Sequence, residues 1–149
     1  MKKIVYSLLL FSLACTQPEP KKVEKSEPVE KRLQIVVTTN ILGDMVSNIV
    51  KDKADLKVLM GAGVDPHLYK ATQNDIQYLM NADIIVYNGL HLEGKMGEIF
   101  EKVKGNKKVI AAAEGIDPSL LITSDQFKGA QDPHIWFDAT LWSTACEYV

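Results

Sequence analysis

Leu33-Gln34-Ile35-Val36-Val37-Thr38-Thr39 is the stretch that decides the fold. It is β-branched and apolar, bounded by Asn40 and Gly43. Such a run reads as a strand buried on both sides. Ile41 to Lys51 then places Ile41, Met45 and Ile49, with Val46 and Val50, at helical spacing. The same alternation continues downstream. Leu56 to Met60 is a second strand, stopped by Gly61 and Gly63. Thr72 to Met80 reads as a short helix, with Thr72 as N-cap and Asp75 three residues later. Ile84 to Tyr87 is a third strand ended by Asn88-Gly89, and Gly94 to Val103 a third helix. Lys107 to Ala111 is a fourth strand, and Asp138 caps a last helix. Strand–helix alternation at this spacing implies right-handed crossovers and an α/β fold with a four-stranded parallel sheet and flanking helices. Ligands of such sheets sit at the carboxyl ends of the strands. That rim is expected to carry Gly61 to Tyr69, Asn88 to Glu93, and Ala112 to Phe137.

Upstream of Leu33 the character of the chain changes. Lys2 and Lys3 precede a largely apolar stretch from Ile4 to Ala14, and Cys15 follows at once. The stretch is too short to span a bilayer, which takes about 20 apolar residues. Residues 1–14 are therefore expected to be an export signal. Phe11-Ser12-Leu13-Ala14-Cys15 resembles a lipobox, with the leucine two residues before the cysteine where the usual pattern has it three before. Cys15 is the expected lipidation site. Residues 15–32 hold Pro18, Pro20 and Pro28 with five basic and four acidic groups. So little apolar surface cannot offset ordering entropy, so they read as a lipid-anchored, disordered tether. Residues 33–149 are then the folded part.

Composition narrows the function. The 149 residues carry 17 basic and 19 acidic groups and are 46% hydrophobic, which excludes wholesale disorder and collagen. No basic stripe with interleaved aromatics marks a nucleic-acid binder. Two cysteines, Cys15 and Cys146, make no disulfide framework. Cys146 falls on the apolar side of the last helix and is expected in the core.

The chemistry is concentrated in two tripeptides. Two of the three histidines end the sequence Asp-Pro-His, as Asp65-Pro66-His67 and Asp132-Pro133-His134. Proline fixes its own φ and restrains the residue before it, so each loop holds its imidazole in place. The aspartate can accept backbone N–H groups in the turn or orient the ring from behind. Both triplets belong to the expected rim. Two neutral imidazoles about 2.0–2.1 Å from one ion suit zinc or another first-row divalent metal. His91 lacks the prefix and reads as a rim or surface residue. Gly61-Ala62-Gly63 lacks the third glycine of a nucleotide loop. Trp136 and Trp142 read as packing aromatics.

Three segments carry a family resemblance: Gly63-Val64-Asp65-Pro66-His67, Asn88-Gly89-Leu90-His91-Leu92-Glu93 and Asp132-Pro133-His134-Ile135-Trp136-Phe137-Asp138. In order and spacing they resemble the zinc- and manganese-type substrate-binding proteins of bacterial ABC transporters, the TroA-like receptors. The resemblance runs from Leu33 to the end of the chain. It implies a receptor of two α/β lobes joined by a long helix, with the metal held between them by four side chains and passed to a membrane permease. His67 and His134 match the two ligands of the first lobe. The other two, a His or Glu and an Asp, belong to the second lobe. The chain stops at Val149 inside its last helix, with no glycine or polar stop signal. It is therefore expected to be the N-terminal lobe only, as a truncated form or part of a longer protein.

The implied function is capture of zinc or manganese, as cargo, outside the cytoplasmic membrane, periplasmic or at the surface, for delivery to an ABC permease. The implied partners are that permease and, through the anchor, the membrane; nucleic acid is not among them, and the full-length receptor is expected to be a monomer. Zinc-specific relatives can carry a His- and acid-rich loop between the ligand motifs. Ile116 to Gln131 has no histidine and only Asp117 and Asp125 as acids. Two other functions remain open: a surface adhesin displayed by the tether, and a metal-dependent hydrolase. The second would need a general base. Glu93 and Glu114 are the nearest carboxylates, and no His-Glu-x-x-His motif is present, so the chain is expected not to be an enzyme.

Overall fold

The computed structural model describes residues 31–105, 107–123 and 129–149. The expected signal, the expected lipidation site at Cys15 and the expected tether up to Glu30 lie outside the described residues. Four strands alternate with helices: β1 (Leu33–Thr39), α1 (Asn40–Val50), β2 (Ala54–Met60), α2 (Gln73–Asn81), β3 (Ile84–Tyr87), α3 (Gly97–Val103), β4 (Lys108–Ala111) and α4 (Ala139–Tyr148). The strands form one parallel sheet in the order β2-β1-β3-β4.

Strand periodicity divides the core into two. Ile35 and Val37 of β1 face one side of the sheet with Val86 and Ile110, against Leu42, Met45 and Val46 of α1 and Ala145 of α4. Val36 and Ile85 face the other side, with Met60, Leu79 of α2 and Phe100 of α3. Both faces are covered, so the inner strands β1 and β3 are largely apolar runs, while the edge strand β2 carries Asp55 and Lys57. Cys146 and Trp142 are partly buried against the first of these clusters.

The ends of elements differ in places from the sequence reading. β2 begins at Ala54 rather than Leu56, because Ala54 and Asp55 pair with Leu33 and Gln34. α3 begins at Gly97 rather than Gly94, because residues 94–96 close a turn on Glu93, with the Met96 N–H bonded to the Glu93 carbonyl at 2.8 Å. α2 starts as expected: Thr72 and Asp75 form a complete capping box. Arg32, read as the end of the tether, docks on the sheet. Its guanidinium donates to the carbonyls of Asp52 and Ala54 and pairs with Asp55 at 3.2 Å. Among the described residues, the stretch after β4 holds three short 3-10 turns and an isolated bridge between Thr123 and Gln131. No described helix is long and apolar enough to cross a membrane.

Candidate metal centre

Parallel strands deliver all their following loops to one end of the sheet. The first triplet follows β2 and the second closes the long connection after β4, so both reach the carboxyl rim. There the two rings meet. His67 Nε2 lies 3.2 Å from His134 Nε2, with ring centroids 5.2 Å apart and planes tilted by 59°. Neighbouring ligands of a tetrahedral ion at about 2.0 Å are themselves roughly 3.3 Å apart. The pair is half-buried.

The two aspartates act differently. In each triplet the Asp Oδ1 accepts the histidine's own backbone N–H at 2.9 Å, which fixes the turn. Asp132 Oδ1 also contacts His134 Nδ1 at 2.6 Å. A carboxylate only accepts, so Nδ1 carries a proton, and in the neutral ring the Nε2 lone pair faces His67. The hydrogen bonds from His134, backbone first and then ring, hold the Asp132 carboxyl below its ordinary value. Trp136 meets His134 edge-on at 5.2 Å, so it packs against the centre itself. Phe137, Val64 and Leu68 stand exposed around it.

Connected to the second triplet are two buried polar side chains whose role the sequence did not show, Asn88 of the rim segment and Glu93, there only a nearby carboxylate. Asn88 and Glu93 are 1% and 3% exposed. Burial pushes the Glu93 carboxyl up, against the pull of hydrogen bonds from Thr38, Asn88 and Gly89. The sequence signal was the setting of Glu93, one residue after Leu92 and three before Met96, both fully buried. Glu114 is exposed, as is His91, which lies in the left-handed region with φ of 62°. Both line an open cleft of about 850 Å³ beside β3 and β4 that contains neither histidine of the pair. Among the described residues no group of three or more His, Cys, Asp or Glu side chains converges as a complete metal site. The centre supplies two imidazoles, one of them oriented by a carboxylate.

Residues 35–149 match the family described as “Zinc-uptake complex component A periplasmic”, and the chain belongs to that family. It is 48% identical over 115 residues to the zinc-binding protein TroA of Treponema pallidum (strain Nichols), which covers 77% of this chain and 37% of that protein. It is 42% identical over 120 residues to the manganese-binding lipoprotein MntA of Bacillus subtilis (strain 168), covering 80% and 39%. The solved structure of the periplasmic zinc-binding protein TroA from Treponema pallidum superposes with a TM-score of 0.72, covering 77% of this chain and 41% of that one. The chain thus spans about two-fifths of the length of these relatives. Their names describe binding proteins, not enzymes.

Proposed function

We propose that this chain captures a divalent transition-metal ion, zinc or manganese, as cargo outside the cytoplasmic membrane for import through an ABC permease, with no catalytic step. His67 and His134 are two of its ligands, and Cys15 is the lipid attachment point. The observation that carries this reading is the 3.2 Å approach of the two Nε2 atoms across the rim. Two lone pairs at that distance repel each other unless a proton or a cation lies between them. The zinc- and manganese-binding names of the relatives support the choice of cargo. Asp132 is occupied in orienting His134, and the sequence has no His-Glu-x-x-His motif to supply a general base for hydrolysis.

Two imidazoles fill half of a tetrahedral shell and leave water in the rest. Bound water and solvent exposure both weaken each metal–ligand interaction. The 149-residue chain is therefore expected to bind zinc weakly by calorimetric titration, with binding lost in His67→Ala and in His134→Ala. Zinc binding unchanged by both substitutions overturns the site. Cys15→Ser is expected to release the protein from membranes on fractionation with its fold intact; a wild-type chain found wholly soluble and unacylated overturns the anchor.

A further inference from the structure

The sheet order β2-β1-β3-β4 places its topological switch point between β1 and β3. In open α/β sheets the crevice at that point is where a ligand enters. Here the protein fills it with its own carboxylate. Glu93 Oε1 accepts the Thr38 hydroxyl from β1 at 2.6 Å and the Asn88 backbone N–H, just beyond β3, at 2.8 Å. Glu93 Oε2 accepts the Gly89 N–H at 3.3 Å. Asn88 continues the connection. Its Nδ2 donates to the Pro133 carbonyl at 2.9 Å, in the middle of the second triplet, and to the Gly89 carbonyl at 3.3 Å. A continuous buried line thus runs from β1 through Glu93 and Asn88 to the residue before His134.

Such a line is costly to build. A buried carboxylate loses its hydration, and an apolar side chain at the same place avoids that loss. Residues 89–91 all have positive φ, and Leu90 and His91 are not glycine. Backbone of that kind persists only where its surroundings over-determine it. What the arrangement gains is a single geometry, because a fully satisfied buried network admits few alternatives. The loop it fixes is the one that carries a ring of the candidate metal centre.

We propose that Asn88, held in place by Glu93, is the positioning residue for His134. It pins Pro133 and so sets where His134 Nε2 meets His67 Nε2. This rests on the reading of the histidine pair as a metal centre.

Two readouts on the 149-residue chain test it. The first needs no metal: NMR of the imidazoles, with the ring contact between His67 and His134 and the nitrogen shifts of His134. Asn88→Ala is expected to move the His134 shifts and weaken that contact, whereas Leu79→Val, on the other face of the sheet, leaves both in place. The second is zinc titration. Asn88→Ala and Glu93→Ala are expected to weaken zinc binding about tenfold, the lower end of what lost orienting partners cost. Glu93→Gln, which keeps the Oε1 acceptor, loses less than Glu93→Ala. Leu79→Val, in the core on the other face of the sheet, destabilises the fold but leaves zinc affinity within about twofold. Should Asn88→Ala not fold, Thr38→Val cuts the same line at its start, with a smaller expected shift of His134. The proposal is overturned if the variants leave His134 and zinc affinity unchanged, or if Leu79→Val weakens zinc as much as Asn88→Ala does. A wild-type chain that binds no zinc overturns the metal reading instead, and the imidazole spectra still decide the role of Asn88.

Discussion

The aspartates of the two triplets share a sequence context but not a task. Asp65 closes its turn on the His67 N–H, whereas Asp132 closes its turn and also grips the His134 ring. Removing a partner that fixes a ligand's tautomer and orientation costs 10- to 100-fold in affinity. Asp132→Ala is therefore expected to weaken zinc binding by about tenfold, and Asp65→Ala by clearly less, in parallel titrations. The triplets were legible in the sequence because proline and aspartate act locally, through the dihedrals and turn hydrogen bonds of their own neighbours. Which aspartate reaches its ring depends on the path of the long connection after β4, and no local pattern encodes that. The roles of Asn88 and Glu93 were hidden for a related reason. Their partners Thr38 and Pro133 lie 55 and 45 residues away in the chain.

At the scale of elements, the alternation of strand and helix was readable because both periods are strong and both faces of the sheet are covered. Boundaries drifted where tertiary contacts set them, as at Gly97, where the turn over Glu93 delays α3. One packing contact between elements had no sequence signal at all. Gly115 ends the 3-10 turn after β4 and lies directly against α4. A Cβ built there falls 2.4 Å from Tyr148 Cβ and 2.5 Å from its Cγ. Real atoms do not approach so closely, so Gly115→Ala must shift α4 or the turn. Overpacking of this kind costs about 1–3 kcal/mol. At Gly61 an added Cβ meets nothing within 4 Å. Urea denaturation is expected to show Gly115→Ala destabilised by that amount and Gly61→Ala within about 0.5 kcal/mol of the parent.

At the scale of the whole molecule, a single hydrogen bond ties stability to pH at both extremes. Tyr69 donates its hydroxyl to Asp75 at 2.6 Å. Burial first, then that bond and the Asp75 charge, push the Tyr69 hydroxyl from 10.0 up to about 12. The folded state therefore holds this proton more tightly than the unfolded chain. Its stabilising contribution is full below pH 10 and lost as pH rises toward about 12. Asp75 moves the other way. Burial alone would raise its carboxyl, but hydrogen bonds from Tyr69 and Thr72, with the Lys57 charge, hold it below 3.8. That contribution is present above the unfolded value and lost as pH falls through the folded one. Tyr69→Phe is expected to cost about 1–2 kcal/mol near neutrality. The gap between wild type and variant should close above pH 10 and again in acid, as followed by urea midpoints across pH. A gap that stays constant across pH shows that the bond does not carry the linkage.

All four strands run the same way, so the amino ends and the carboxyl ends of the sheet form opposite poles of the domain. Arg32 clasps the carbonyls at the start of β2 and so moors the chain's entry at the amino pole, while the histidines occupy the other. The length of the parallel strands therefore separates the point where the chain enters the sheet from the two imidazoles, and a label attached at Arg32 reports from the end of the domain remote from them.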